Sequence, residues 1–349
     1  MKDCIEPKKF GEININDSFF DSLKEDYLDF EDWFERKKAN NEEAFVLYND
    51  NKKIDGFLYY KYDGTVVEDV DPLLVGKKIL KIATFKVNPH KTRLGERFIK
   101  IVLDYAVQNG YDICYLTVFP KQKRLIREFE TYGFNKKGTK TSGKKTEEVY
   151  VKNLDVDYKD IYKNYPLINI HSTRKYILAI YPKYHTIMFP DSKLNTEKDV
   201  FAKDIPYTNS IHKNYICSMD VNTLSKGDII VLYRTATRIP AEYSSVATSV
   251  CVVEEIKHQN EYENFEDFYI DASKYSLFDR EDLHYWYRRG NCKIIKMLYN
   301  IALPKRITRH DLIEKIGLNR DEYWGFFEIT DDKFEAILEK SKVNMNYII

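Results

Sequence analysis

One segment constrains this chain more than any other: FKVNPHKTRLGERFIKIVLDYA, Phe85 to Ala106. The run Ile79 to Val87 (ILKIATFKV) is apolar enough for a buried strand, and Pro89 closes it. A glycine-bearing loop then leads straight into a helix, Arg97 to Gln108. Its Phe98, Val102, Leu103 and Ala106 share one face, and Asn109-Gly110 terminates it. Backbone N–H groups at a helix start lack an intrahelical partner and sit at the positive end of the helix dipole. Such a junction attracts an anion, a pyrophosphate for example, without requiring a particular side chain. Successive amides in the turn add to the same site. Lys91, Arg93 and Arg97 supply further positive charge.

The neighbouring segments alternate between helix and strand. Phe19 to Lys38 carries Phe20, Tyr27, Phe30, Trp33 and Phe34 at near-helical spacing. Ala44 to Tyr48 reads as a strand, and after an Asn-Asp-Asn turn Ile54 to Tyr62 reads as its hairpin partner. Ile113 to Phe119 (ICYLTVF) is a buried strand, Lys123 to Thr131 a helix ending before Gly133, and Glu147 to Val151 a last short strand. The segment KKGTKTSGKK before it reads as a polar turn.

The periodicity changes between Asn153 and Lys163, which separates a first domain, residues 1–154, from a second, residues 164–349. The second half shows short strand runs at Tyr176 to Ile180, Tyr215 to Met219, Asp228 to Tyr233, Ser249 to Val253, Lys293 to Tyr299 and Phe326 to Ile329. Helical stretches lie at Asn264 to Ala272, Arg309 to Ile316 and Asp331 to Ser341. Strands with peripheral helices suggest a small closed or partly closed barrel, so the fold class is α+β in two domains.

Composition excludes several classes. No stretch approaches the roughly 20 apolar residues of a membrane helix. The N-terminal MKDCIEPKKF lacks a signal-peptide core, so a cytoplasmic protein without membrane contact is expected. Five dispersed cysteines and seven scattered histidines predict neither a disulfide framework nor a metal site. Zero formal net charge argues against wholesale coating of nucleic acid but leaves room for a local basic groove.

The Phe85–Ala106 segment resembles the GNAT superfamily of N-acetyltransferases, whose signature is a strand, then Arg/Gln-x-x-Gly-x-Gly/Ala, then a helix. His90-Lys91-Thr92-Arg93-Leu94-Gly95 occupies that window. His90 stands for Arg or Gln, Arg93 for the first glycine, and Gly95 is the match. The buried strand ICYLTVF, a polar helix and Tyr132-Gly133-Phe134 follow in the family's order. The resemblance implies a mixed, mostly antiparallel sheet flanked by helices, with acetyl-CoA as cofactor. Its pantetheine would pair with backbone in Phe85, Lys86 and Val87, and its phosphates would lie over His90, Lys91, Thr92, Arg93, Leu94, Gly95 and Glu96. The strand around Thr84 to Val87 would splay from Ile113 to Phe119, a β-bulge helping to open the gap. An amine would attack the thioester directly, backbone N–H stabilising the oxyanion. Where the family often has a tyrosine that protonates the leaving thiolate, this chain has Phe129. Tyr132 is the nearest phenol, with water or another residue as alternatives. The general base stays unassigned, with Glu42, Glu43 and Asp55 near the early strands.

The pieces YILAIYPKYHTIMFPD, LSKGDIIVLYRT and SSVATSVCVVEEI resemble the PUA-like superfamily that includes ASCH and EVE domains. That resemblance implies binding of RNA, tRNA included, or of a modified base. Tyr181, Lys183, Tyr184 and His185 place aromatics beside a cation, as base stacking with phosphate contact requires, and Arg234 and Arg238 flank a strand end. His284 to Gly290 with Lys293 and Lys296, and Lys305, Arg306, Arg309 and His310, form two further aromatic-basic or basic clusters. Two readings follow. One is an acetyltransferase whose acceptor amine is presented by, or associated with, RNA; a protein or small-amine acetyltransferase is a variant of it. The other is a non-catalytic sensor of nucleic acid or a nucleotide-like ligand with a vestigial acetyltransferase domain.

Overall fold

The computed structural model describes residues 5–88, 94–189, 210–236, 240–275 and 278–349. The chain forms two compact units that meet in sequence between Asp155 and Val156. Both are α+β, each built on one mixed sheet.

In the first unit the strands are β1 (Glu6–Lys9), β2 (Glu43–Tyr48), β3 (Ile54–Tyr62), β4 (Val66–Val67), β5 (Leu74–Val75), β6 (Ile79–Val87), β7 (Ile113–Val118), β8 (Asn135–Ser142) and β9 (Lys145–Asn153). The helices are α1 (Asp21–Asp26), α2 (Phe30–Ala39), α3 (Leu94–Gln108) and α4 (Lys123–Thr131). Seven strands order as β1-β2-β3-β6-β7-β9-β8, and β4 and β5 form a separate hairpin. Every neighbour in the large sheet is antiparallel except β6 and β7.

The aromatic spacing read along Phe19 to Lys38 resolves into two helices. Phe30 and Phe34, one turn apart on α2, are buried with Phe10, Phe20 and Phe57 in edge-to-face contacts such as Phe10–Phe34 at 4.9 Å and Phe20–Phe57 at 5.3 Å. Burying each such ring contributes roughly 1.5–3 kcal/mol. On the other face α3 buries Phe98, Ile99, Val102, Leu103 and Ala106. Its end is marked by Gly110 at φ +67°, a conformation glycine adopts without strain.

The segment read as a polar turn is instead mostly strand, β8. It lies at the sheet edge with its side chains largely exposed, so no apolar alternation marks it. Within it, a Cβ at Gly138 would collide with the carbonyl of Asp71, whose backbone pairs with Thr139. Glycine is needed there for close approach.

The second unit holds β10 (Lys175–Ile180), β11 (His212–Cys217), β12 (Ile229–Arg234), β13 (Val246–His258), β14 (Lys293–Thr308) and β15 (Phe326–Ile329). Its helices are α5 (Ile161–Asn164), α6 (Pro182–Met188), α7 (Ala241–Ser244), α8 (Phe265–Ala272), α9 (Arg280–Arg289), α10 (Arg309–Glu314) and α11 (Asp331–Lys340). The strands order as β11-β14-β13-β12-β10-β15, with only β10 and β12 parallel. The long β13–β14 pair carries three register shifts, which bend the sheet. A closed barrel does not result: among the described residues the edges β11 and β15 do not pair with each other. Met188 and Phe189 join the core against Leu178, Ile230, Met297 and Tyr299, while Phe268 and Leu283 of α8 and α9 pack on Ile216 and Ile294. No helix among the described residues is long and apolar enough to cross a membrane.

Candidate functional site

In the first unit the parallel ladder of β6 and β7 runs from Ile79↔Ile113 to Ile82↔Leu116 and stops there. Each strand continues along its other neighbour: β6 pairs with β3 as far as Val87↔Gly56, and β7 with β9 as far as Val118↔Glu148. Between Ile82 and Thr84 the register against β3 shifts, so Ala83 is an extra residue, a bulge at the point where the strands part. Backbone groups of successive strand residues point to opposite neighbours. Since the N–H of Asn88 donates to the Asp55 carbonyl on the β3 side, those of Phe85 and Val87 point into the gap.

On one face of this gap stands α3. Leu94, Gly95 and Glu96, its first residues, are buried. A Cβ at Gly95 would overlap the carboxylate of Glu128 on α4, so the glycine lets that carboxylate lie against the first turn of α3, where helix amides attract negative charge. His90, Lys91, Thr92 and Arg93 lie outside the described residues. Phe129 is fully buried between Phe85 (ring centroids 5.1 Å apart) and Phe134 (5.0 Å). Tyr132 is buried at the end of α4, and its carbonyl accepts a 2.8 Å hydrogen bond from Lys152 Nζ. Burial pulls the Lys152 ammonium down to about 7, against the opposing effect of Cys114.

The other face is polar. Lys86, at the far end of β6, donates to the Phe19 carbonyl and to Ser22 Oγ. Tyr27, just after α1, packs at a tilt against Phe119 with ring centroids 5.3 Å apart and donates a 2.6 Å hydrogen bond to Glu147. Asp26 pairs with Lys121, and its carbonyl accepts from Lys145. The α1 segment therefore runs from the end of β6 to the ends of β7 and β9. Its six residues span about 9 Å, well beyond the ~4.8 Å between paired strands. Deeper on this face Tyr115 donates to Asp63 and Tyr59 to Glu42. Despite burial, Lys61 and the Tyr115 hydroxyl hold the Asp63 carboxyl below its ordinary value.

In the second unit the parallel pair stays joined along its length, from Lys175↔Ile229 to Ile180↔Arg234. At its carboxyl end α6 begins, the position at which α/β sheets commonly bind ligands. Tyr181 is 64% exposed and Lys183 is exposed beside it, its ammonium 5.5 Å from the Tyr184 ring. Tyr184 is half-buried against Phe278 at 4.6 Å. His185 and Arg234 are buried. His185 Nε2 shares a 2.7 Å hydrogen bond with Thr248 Oγ1, while its Nδ1 makes no hydrogen bond among the described residues. Burial first, then the charges of Arg234 and Arg306, pull this imidazole down to about 3. The six expected ligand-binding residues thus divide: Tyr181 and Lys183 on the surface, Tyr184 between, His185 and Arg234 inside. Arg238 lies outside the described residues.

The two other basic clusters are largely engaged. Lys296 is ion-paired with Asp271 and Glu255, Lys293 donates to the Met219 carbonyl, and Arg309 lies 4.5 Å from the Trp324 ring. The opposite end of the sheet has a feature that sequence reading missed: a polar cleft of about 570 Å³ lined by Tyr162, Ser225, Lys226, Glu254 and His258 among others. Glu254 also holds His212 Nδ1 at 2.8 Å.

No family model and no curated protein matches the sequence. Among solved structures the chain is similar to the ASCH protein of Zymomonas mobilis, with TM-score 0.32 and 6% identity over 47% of this chain and 94% of that one. It is also similar to nourseothricin acetyltransferase, with TM-score 0.25 and 19% identity over 31% of this chain, spanning 63% of that enzyme. A third likeness is to the NatC complex bound to Gag peptide and CoA, with TM-score 0.29 and 13% identity over 43% of this chain and 98% of that one. One chain thus resembles both acetyltransferase and ASCH structures. At these identities neither residues nor activities transfer, and the reading of the site rests on its own geometry.

Proposed function

We propose that the chain is an acetyl-CoA-dependent N-acetyltransferase whose acceptor amine is presented by, or associated with, RNA bound through the second unit. The observation that carries this reading is the parting of β6 from β7 after Ile82↔Leu116, with the Ala83 bulge at the fork and α3 starting beside it. Backbone N–H groups of Phe85 and Val87, which face no strand partner among the described residues, suit an extended amide-bearing ligand such as pantetheine, and one of them suits the oxyanion of a thioester under attack. The start of α3, with Leu94, Gly95 and Glu96, is where the pyrophosphate would sit, together with His90, Lys91, Thr92 and Arg93, while Lys86 lies in the pantetheine-pairing stretch of β6. Tyr132 is assigned the proton donor to the leaving thiolate. Exposed Tyr181 and Lys183 support nucleic-acid contact by the second unit, with Tyr184, His185 and Arg234 behind them, and Arg238 is proposed to join them.

Isothermal titration with acetyl-CoA tests the cofactor. Binding is expected, weakened by Gly95→Trp and strengthened several-fold by Glu128→Gln, which removes a negative charge from the phosphate end. No binding at submillimolar ligand sinks the enzyme reading. Mass spectrometry of RNA and protein incubated with labelled acetyl-CoA identifies the acceptor. Phe129, a ring without a proton to give, is the observation that favours a non-catalytic sensor. That alternative predicts acetyl-CoA or nucleotide binding with no labelled product.

A further inference from the structure

Glu147 is only 8% exposed, yet no lysine or arginine among the described residues pairs with its carboxylate; its one hydrogen bond there comes from the Tyr27 hydroxyl at 2.6 Å. A buried carboxylate without a counter-ion is costly unless something cationic joins it. Nearby cations are directed elsewhere: Lys140, opposite Glu147 in the β8–β9 ladder, to Asp69, Lys145 to the Asp26 carbonyl, Lys121 to the Asp26 carboxylate, Lys86 to Phe19 and Ser22. Side chains two apart on a strand share a face, and Val149 lies opposite Thr117 in the β7–β9 ladder. Glu147 therefore shares its face with Val149 and Thr117, at the end of β7 beyond the last β6–β7 rung, Ile82↔Leu116. Tyr27 fixes its position, being wedged on Phe119. Burial first, then the Glu147 carboxylate, push the Tyr27 phenol well above its ordinary value, so it stays a donor.

We infer that Glu147, held by Tyr27, is the group that receives the acceptor as a primary ammonium and takes its proton. This rests on the acetyltransferase reading and names the acceptor class for it. The ammonium enters as the missing counter-ion and gives one proton to the carboxylate. The freed nitrogen lone pair forms the C–N bond to the thioester carbonyl carbon. The C–S bond then breaks, its electron pair leaving on sulfur, which takes a proton from Tyr132. The second proton shed by the nitrogen restores Tyr132. The third stays on the amide, and Glu147 releases its proton to water. Glu147 is a catalytic residue in this scheme and Tyr27 a positioning residue.

The probe is n-butylammonium, with 1-butanol as its uncharged counterpart, followed by saturation-transfer NMR on the full chain with acetyl-CoA present. Butylammonium is expected to bind and butanol not, with at least about tenfold weaker binding in Glu147→Gln, a loss of about 1.4 kcal/mol. Thr117→Lys supplies an internal counter-ion on the same face. It is expected to abolish butylammonium binding while raising the melting temperature, a pair of effects that misfolding does not produce. Butylammonium that fails to bind the wild type, or binds Glu147→Gln and Thr117→Lys equally well, overturns the site. For proton transfer, Glu147→Gln should slow acetylation of butylamine about 100-fold and that of 2,2,2-trifluoroethylamine, neutral at pH 7, far less. Equal losses with both amines, or no transfer to butylamine by a wild type that binds it, overturn the proton-accepting role. A wild type that does not bind acetyl-CoA sinks the enzyme reading instead and leaves butylammonium to decide the Glu147 site.

Discussion

Each unit contains one parallel strand pair in an otherwise antiparallel sheet, and the two pairs differ in where they end. β10 and β12 stay joined from Lys175↔Ile229 to Ile180↔Arg234, so their backbone groups are consumed by the ladder. Anything recognised at that end has to meet side chains, and the ones present are Tyr181, Lys183, His185 and Arg234. β6 and β7 part after Ile82↔Leu116, and among the described residues the backbone donors of Phe85 and Val87 meet no neighbouring strand on that side. On the proposed function the first unit recognises its ligand through main chain, tolerant of side-chain change, while the second depends on particular residues. Main-chain recognition would tolerate His90 and Arg93 where the acetyltransferase signature has Arg/Gln and glycine, since the fork around Ala83 is backbone.

Proline breaks or sharpens the contrast most directly, because it removes one backbone donor. Leu232 lies in β12 between β10 and β13, paired on both sides. Leu232→Pro should cost on the order of 3 kcal/mol or more and abolish cooperative unfolding of the second unit. The N–H of Val87 points into the gap, so Val87→Pro should leave the fold in place and lower acetyl-CoA affinity about tenfold, the worth of one good hydrogen bond. Urea titration and calorimetric binding of both variants decide it. If Val87→Pro unfolds the first unit as readily as Leu232→Pro unfolds the second, that N–H belongs to the fold and not to a ligand.

A smaller effect concerns His185. Its imidazole titrates near 6.5 when unfolded and near 3 in the fold, where burial and then Arg234 and Arg306 oppose its charge. Between those values the unfolded state binds more protons, so stability falls as pH drops below about 6.5 and is complete above it. At pH 5 the loss is on the order of 2 kcal/mol. Urea unfolding at pH 7 and pH 5 should show that difference in the wild type and largely lose it in His185→Gln. Equal pH dependence in both would mean that the folded imidazole is already free to charge, and that this end of the second unit is wetter than its burial implies.

What the sequence disclosed and what it hid divide along the same physical line. The bounds of β3, β6 and α4 could be read directly, because each is set by apolar pattern and local punctuation. The face that α3 buries was legible for the same reason. Edge strand β8 carries no buried alternation and passed for a turn. Sheet closure depends on whether two distant edges meet, and β11 and β15 do not, so periodicity could not tell an open, bent sheet from a barrel. Tyr27 and Glu147 are 120 positions apart, and His185 and Thr248 are 63 apart; pairings at that range leave no local signal. His185 looked like part of an aromatic-cationic surface because Tyr181 and Lys183 precede it. Only the packing of α6 onto the sheet turns it inward.

Lys152, a fully buried lysine of the first unit, provides the finest test. It lies opposite Cys114 in the β7–β9 ladder, donates to the Tyr132 carbonyl at 2.8 Å, and is brought by burial to about 7. The unfolded lysine keeps its proton to about 10.5, so from pH 7 upward the unfolded state binds more protons and stability rises with pH. If the first unit recognises ligand through main chain, this buried charge serves neither binding nor stability at neutral pH. Replacing a buried ion with an apolar residue of similar volume is often stabilising. Lys152→Met should therefore gain on the order of 1 kcal/mol at pH 7, after the loss of its bond to the Tyr132 carbonyl, and the gain should shrink toward pH 9. Acetyl-CoA affinity should not change. A variant that is more stable but no longer binds acetyl-CoA would tie Lys152, through Tyr132, to the gap, and the first unit would then depend on a buried side chain just as the second does.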